Sequence, residues 1–126
     1  MKKMILLFSH KLTPQQIRNA QDSFGVNEFV TLDTNLQHIW SNVPSDLEDI
    51  VTYLQPVRNY LIEQIESDDV VLIQGDFGAT HAMVLFVKSL GGEAVYATTK
   101  RNVVEKGIDG KIVKTSIFEH IRFRKF

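Results

Sequence analysis

Two apolar runs, residues 4–8 (MILLF) and 70–73 (VVLI), constrain the fold of this chain more than any other feature. Both are short and neither alternates with polar residues. Each therefore reads as a strand buried on both faces. The first is followed by Ser9, His10 and Lys11, then by Thr13 and Pro14, a good N-cap and a good first helical residue. The spacing predicts a helix to about residue 24, stopped by Gly25. Residues 28–32, with Phe29, Val30 and Thr31, suit a second short strand. Residues 35–40 suit a helical turn and 41–44 a loop.

Ser45 and Glu48 form a capping-box pattern, which predicts a long helix to about residue 66. Leu47, Ile50, Val51, Leu54, Val57, Leu61 and Ile65 keep helical spacing, with a kink or break expected at Pro56. The third strand is expected over 69–74, a helix over 79–90 ended by Gly91 and Gly92, and a fourth strand over 93–97. Asp109-Gly110 reads as a turn, and 111–123 as one or two strands of a hairpin. Alternating strands and helices imply an α/β fold. Its sheet should be mostly parallel and flanked by helices, with a C-terminal antiparallel edge, in one domain over residues 1–126.

Composition removes several classes of function. With 14 basic and 15 acidic residues the net charge is -1, which argues against a dedicated duplex DNA binder. There is no cysteine, so disulfides and thiolate metal sites are excluded and a reducing compartment is expected. The apolar run after MKK is too short for a signal peptide, and no segment approaches the roughly 20 apolar residues of a membrane helix. The expectation is a cytoplasmic protein without a membrane partner.

In sheets of this kind ligands bind outside the carboxyl ends of the strands. Three strand ends are polar here. The first offers Ser9, His10 and Lys11. The third opens the stretch LIQGDFGATHAMV, with Gln74, Gly75, Asp76, Phe77, Gly78, Ala79, Thr80 and His81. The fourth offers Thr98, Thr99, Lys100 and Arg101.

Gly75 and Gly78 allow close backbone approach, and the helix that follows leaves N–H groups unpaired at the positive end of its dipole. A phosphate is favoured there, with the Thr80 hydroxyl as an added donor. The spacing matches neither the dinucleotide fingerprint nor a P-loop. A plainer reading, in which Asp76 caps the helix and the glycines shape a turn, stands beside it. Lys100 and Arg101 suit phosphate oxygens, although a Lys-Arg pair also suits a solvated loop.

Among the histidines, His10 is the first candidate for acid–base work, because histidine titrates nearest neutrality. His81 falls in the first turn of a helix. His38 and His120 read as structural or exposed. No pair has metal-ligand spacing, so no metal is expected. Trp40 and Asn42 could stack on and read a base, or Trp40 could be core. In the tail, Phe118, His120, Arg122 and Arg124 fall on one strand face and Ile117, Ile121 and Phe123 on the other.

Taken in order, LLFSHKLT, IWSNVP, LIQGDFGATHAMV, VYATTKR and HIRFRKF resemble the small Csx-type accessory proteins of type III CRISPR systems, over nearly the whole chain. The resemblance implies a Rossmann-like domain of the CARF type. It also implies a ring nuclease that binds and opens a cyclic oligoadenylate, commonly cyclic tetra-adenylate, as a homodimer without metal or cofactor. Ser9, His10 and Lys11 would then face the ring, residues 75–80 would hold phosphates through backbone N–H groups, and residues 98–101 would contact ribose and phosphate. His10, Lys100 and His81 become the catalytic candidates. A ribose 2′-hydroxyl turned in line with its neighbouring phosphate needs only geometry, positive charge and one proton acceptor. Two alternatives remain: a sensor or sponge that binds the ring without turnover, and an α/β protein for a mononucleotide or sugar phosphate.

Overall fold

The computed structural model describes residues 2–126. Its elements run β1 (Lys3–Leu7), α1 (Pro14–Phe24), β2 (Glu28–Thr31), α2 (Thr34–Ser41), α3 (Gln55–Gln64), β3 (Val70–Ile73), α4 (Phe77–Ser89), β4 (Glu93–Ile108) and β5 (Lys111–Lys125). The strands form one five-stranded sheet in the order β2-β1-β3-β4-β5. The first three pairings are parallel and β5 is antiparallel to β4. This is the expected mixed α/β architecture with an antiparallel edge.

The two apolar runs are the centre of the sheet. Side chains alternate across a strand, so β1 sends Met4 and Leu6 to one face and Ile5 and Leu7 to the other. Met4 and Leu6 join Val70, Leu72, Val95 and Phe123 beneath α1, which contributes Ala20. Ile5 and Leu7 join Val71, Ile73 and Ala94 beneath α2, α3 and α4, which contribute Trp40, Leu61 and Met83. All four residues of β3 are fully buried. The charged end of this pair is tied as well. The ammonium of Lys3 pairs with the carboxylate of Asp69, which also accepts from the Glu66 N–H at 2.8 Å.

Where local chemistry dictates an element, the expected bounds hold. Thr13 Oγ1 accepts from the Gln16 N–H at 3.2 Å, and the Gln16 side chain accepts from the Thr13 N–H at 2.9 Å, a complete capping box. Gly25 closes α1 at φ 67°, a left-handed conformation glycine takes without strain.

Four expectations need correction. The Ser45–Glu48 pattern opens no helix, and residues 45–54 run as turns and bends. The Asp49 carboxylate instead accepts from the Val51 N–H at 2.8 Å, a local turn that competes with helix. Pro56 lies in the first turn of α3, where its missing N–H costs nothing, so it begins a helix rather than kinking one.

The fourth strand does not end at Ala97. It continues to Ile108 and turns through Asp109 (φ 51°) and Gly110 (φ 75°) into β5. Two consecutive positive φ angles mark the turn type that matches strand twist.

The tail does not keep simple alternation. Thr98 pairs with Arg122 but Thr99 pairs with His120, which leaves Ile121 as a bulge. His120 thereby comes to the α1 side with Phe123 rather than joining Arg122 and Arg124. Asn19 Oδ1 accepts from His120 Nε2 at 2.9 Å and from the Phe123 N–H at 2.8 Å. Burial pushes the His120 imidazole below its ordinary pKa, and its Nδ1 is buried without a partner among the described residues. No helix among the described residues is long and apolar enough to cross a membrane.

Candidate functional site

The strand order places β1 and β3 side by side while the connections leaving them run in opposite directions, so their carboxyl ends open a crevice. The loops after Leu7 and Ile73 flank it. A cavity of about 170 Å³ lies there, lined by Phe8, Ser9, His10, Gln74 and Gly75. It shares Phe8, Ser9 and His10 with a larger cavity of about 520 Å³, walled mainly by Leu6, Leu12, Ile17 and Phe29 with Lys11 and Gln37 at its edge. A small cleft of mixed lining beside an apolar chamber suits a ligand with a polar part and a flat apolar part. The apolar lining was not among the sequence candidates. It comes from three separate elements, and only the fold assembles it.

One short helix positions both loops. Gln37 Nε2 donates to the Phe8 carbonyl at 3.1 Å and to Ser41 Oγ at 2.9 Å. Ser41 Oγ in turn lies 2.8 Å from Ser9 Oγ. Trp40 Nε1 donates to the Gln74 carbonyl at 3.1 Å. Trp40 is 1% exposed, so it is a scaffold residue and offers no face to a base. Asn42 is likewise engaged, donating to the His38 carbonyl at 2.9 Å. The Gln74 side chain accepts from the Ala97 N–H at 2.9 Å and prolongs the β3–β4 pairing. Gly75 has a reason that local spacing does not reveal. A Cβ there would sit 3.1 Å from the Trp40 indole, so the close approach it permits is to this ring.

The start of α4 departs from the expected phosphate cradle. The helix begins at Phe77, and Asp76 Oδ2 caps it by accepting from the Ala79 N–H at 3.0 Å. The Thr80 N–H is spent on the Asp76 carbonyl at 2.8 Å. Thr80 Oγ1 is buried without a partner among the described residues, and Ala79 is fully buried. The N–H groups of Phe77 and Gly78 remain without partners among the described residues. Asp76 and Gly78 border a different cavity, about 780 Å³, whose wall also carries Glu48 and Asp49. Carboxylates there oppose an anion, so the amide end of α4 is a poorer phosphate site than spacing suggests. The Phe77 side chain is 94% exposed, and His81, one turn later, is exposed on the same side of α4.

Thr98, Thr99, Lys100 and Arg101 cannot line one pocket, because strand residues alternate between faces. Thr98 and Lys100 point to the side of α2–α4, Thr99 and Arg101 to the side of α1. Thr98 Oγ1 bonds the Arg122 carbonyl at 3.0 Å, and the Arg101 guanidinium donates to Ser116 Oγ at 3.0 and 3.1 Å. Lys100 is exposed opposite Glu119. Of the three catalytic candidates, only His10 lines the cleft. Its ring meets Phe8 edge-on, with centroids 5.4 Å apart. Among the described residues no group of three or more His, Asp or Glu side chains converges to hold a metal ion.

Comparison with known proteins gives consistent results. The model of the family described as "Uncharacterized protein MJ1673 family" matches residues 2–124. The protein described as "Uncharacterized protein MJ1673" from Methanocaldococcus jannaschii is 48% identical over 126 residues, covering 100% of this chain and 98% of that protein. No solved structure gives a significant match. A family match over nearly every residue, joined to an end-to-end relative at that identity, makes this chain a member of the MJ1673 family.

Proposed function

We propose that the protein is a Rossmann-like, CARF-type domain that binds a cyclic oligoadenylate, cyclic tetra-adenylate in the first instance, and opens it as a metal-independent ring nuclease that would switch off type III CRISPR signalling. The observation that carries this reading is the meeting of two cavities at Phe8, Ser9 and His10, on the rim where the β1 and β3 loops part. An adenine is flat and largely apolar and suits the chamber walled by Leu12, Ile17 and Phe29. The ribose and phosphate then fall at the cleft, beside the His10 ring, with Lys11 on the wall of the adjoining chamber.

The reaction asks little of the protein. With the 2′-oxygen held in line, the 2′-O–P bond forms as the P–O5′ bond breaks. The 2′-hydroxyl proton leaves to His10 and solvent water protonates the departing 5′-oxygen, giving a 2′,3′-cyclic phosphate end and a free 5′-hydroxyl. Lys11 stabilises the charge that builds on the phosphate. The homodimer implied by the resemblance would present two such clefts to one two-fold ring.

One observation favours a second reading, a sensor that holds the ring without cutting it. His10 stands in the cleft without Lys100 or His81. The two readings separate in one assay: cyclic oligoadenylates of several sizes are incubated with excess protein and a chelator, and products are resolved by mass. Linear fragments with a 2′,3′-cyclic phosphate are expected. Bound but intact ligand would replace the nuclease with the sensor, and no binding to any ring size would remove both.

A further inference from the structure

β4 and β5 outrun the sheet that anchors them. The β3–β4 pairing ends at Val95, and beyond Thr99 the two strands pair only with each other. At 3.3 Å per residue, residues 99–108 reach roughly 30 Å past the core. A two-stranded ribbon alone is marginal in water, so an arm of this length needs something to pack on.

Its side chains say what. Opposed residues in an antiparallel pair share a face. Val104, Ile108, Val113 and Ile117 therefore lie on one face, and Val103, Ile112 and Phe118 on the other. Their exposures run from 36% at Val104 to 71% at Ile112. Together they leave roughly 700 Å² open, near the ~800 Å² each partner contributes to a standard interface. Because that surface is divided between two faces, a flat partner or a bilayer would cover only half of it. The charges are mixed, with Lys106, Lys111 and Lys114 interleaved with Glu105 and Asp109, which suits neither nucleic acid nor an anionic membrane. At mid-arm, Lys114 Nζ lies 3.6 Å from Glu105 Oε1. That pair lies on the Val103–Ile112 face, and a two-fold axis through it would set each charge against its opposite on the partner. Finally, β1, β3 and β4 are parallel, so the arm leaves the sheet from the rim that holds the Ser9–His10 cleft.

We propose that the β4–β5 arm is a clasp for a second copy of this chain. Two arms pack on each other across a two-fold axis with one face, and each covers the partner's rim with the other, roofing its ligand cleft. This deepens the dimer part of the functional reading and rests on that reading only there.

The test is made without ligand. Light scattering of the whole protein should give a dimer. Ile117→Lys and Val113→Glu, both at exposed positions, should give monomers that keep the wild-type circular dichroism and whose unfolding midpoint no longer rises with protein concentration. Amide exchange over residues 102–117 should slow as wild-type concentration rises. A monomeric wild-type protein, a dimer that survives both substitutions, or fast exchange independent of concentration would each overturn the clasp. A clasped dimer that ignores cyclic tetra-adenylate would instead overturn only the functional reading.

Discussion

The Trp40 indole donates to the Gln74 carbonyl at 3.1 Å while its ring lies where a Gly75 side chain would go. The loop after β3 is thus shaped from below, by a buried aromatic, before any ligand arrives.

Replacing Trp40 with Phe removes the donor to a half-buried carbonyl and leaves a void beside the buried ring, which together should cost about 1–3 kcal/mol. Gly75→Ala forces the indole to shift by a few tenths of an ångström in a packed core and should cost about 1–2 kcal/mol. Urea unfolding measures both. If Gly75→Ala were neutral, the contact would not explain the glycine.

The Lys3–Asp69 pair predicts how stability depends on pH. Burial works to raise the Asp69 pKa, but the Lys3 ammonium and the Glu66 and Lys3 N–H groups outweigh it and hold the carboxyl below its usual range. Its contribution is present above the unfolded value near 3.9 and is lost as pH falls through the lower folded value. The hydrogen bond to Asp69 raises the Lys3 pKa, so that contribution persists below about 10.4 and is lost as pH rises through the higher folded value. Asp69→Asn leaves a buried ammonium with only the more distant Glu66 and Glu28 carboxylates to offset it and should cost about 3 kcal/mol. The variant should also lose part of the acid limb in a denaturation series from pH 7 to 2.

His120 acts in the other range. Its folded pKa is lowered, so the unfolded chain takes up the proton first and stability falls as pH drops below about 6.5. His120→Gln should flatten that slope while keeping a donor toward Asn19. A slope unchanged between pH 7 and 5.5 would place the titration elsewhere.

In the cleft, His10→Ala should slow ring opening far more than it weakens binding. Lys11→Ala should weaken binding and cleavage together. Phe29→Ala removes a wall of the apolar chamber and should weaken cyclic tetra-adenylate binding about tenfold or more, corresponding to roughly 1–3 kcal/mol of lost stacking. Calorimetry and single-turnover kinetics separate the three. Phe29→Ala with unaltered affinity would put the base in another place.

Elements set by near neighbours were legible in the sequence. α1 could be bounded because Thr13, Gln16 and Gly25 act within a few residues of one another. The β1 and β3 runs were legible because burial on both faces leaves no polar side chain. What depends on distant partners was not. Helical spacing over 47–54 is real, yet the Asp49 turn and Pro56 decide where α3 begins. The polar, exposed stretch after Ala97 reads as loop because the strand is held there by β5 alone. The Ile121 bulge exists only as a mismatch of two strands, so parity counted along one of them fails. In the site, the rim and His10 followed from strand ends. The role of Trp40 and the Phe29 chamber needed tertiary packing.

The grip of α2 on both loops has a consequence for detection. Tyr53 Oη donates to the Ile39 carbonyl at 2.6 Å and lies 3.0 Å from the Asn42 carbonyl, so the same C-terminal end of this helix is also held by the segment before α3. A guest that spreads the loops must strain a helix end that is held in place, and the strain falls on the indole that ties it to the β3 loop. That indole belongs to the chain's single tryptophan. The molecule therefore carries an intrinsic optical gauge of occupancy, readable in unlabelled protein as a change in emission when the crevice fills.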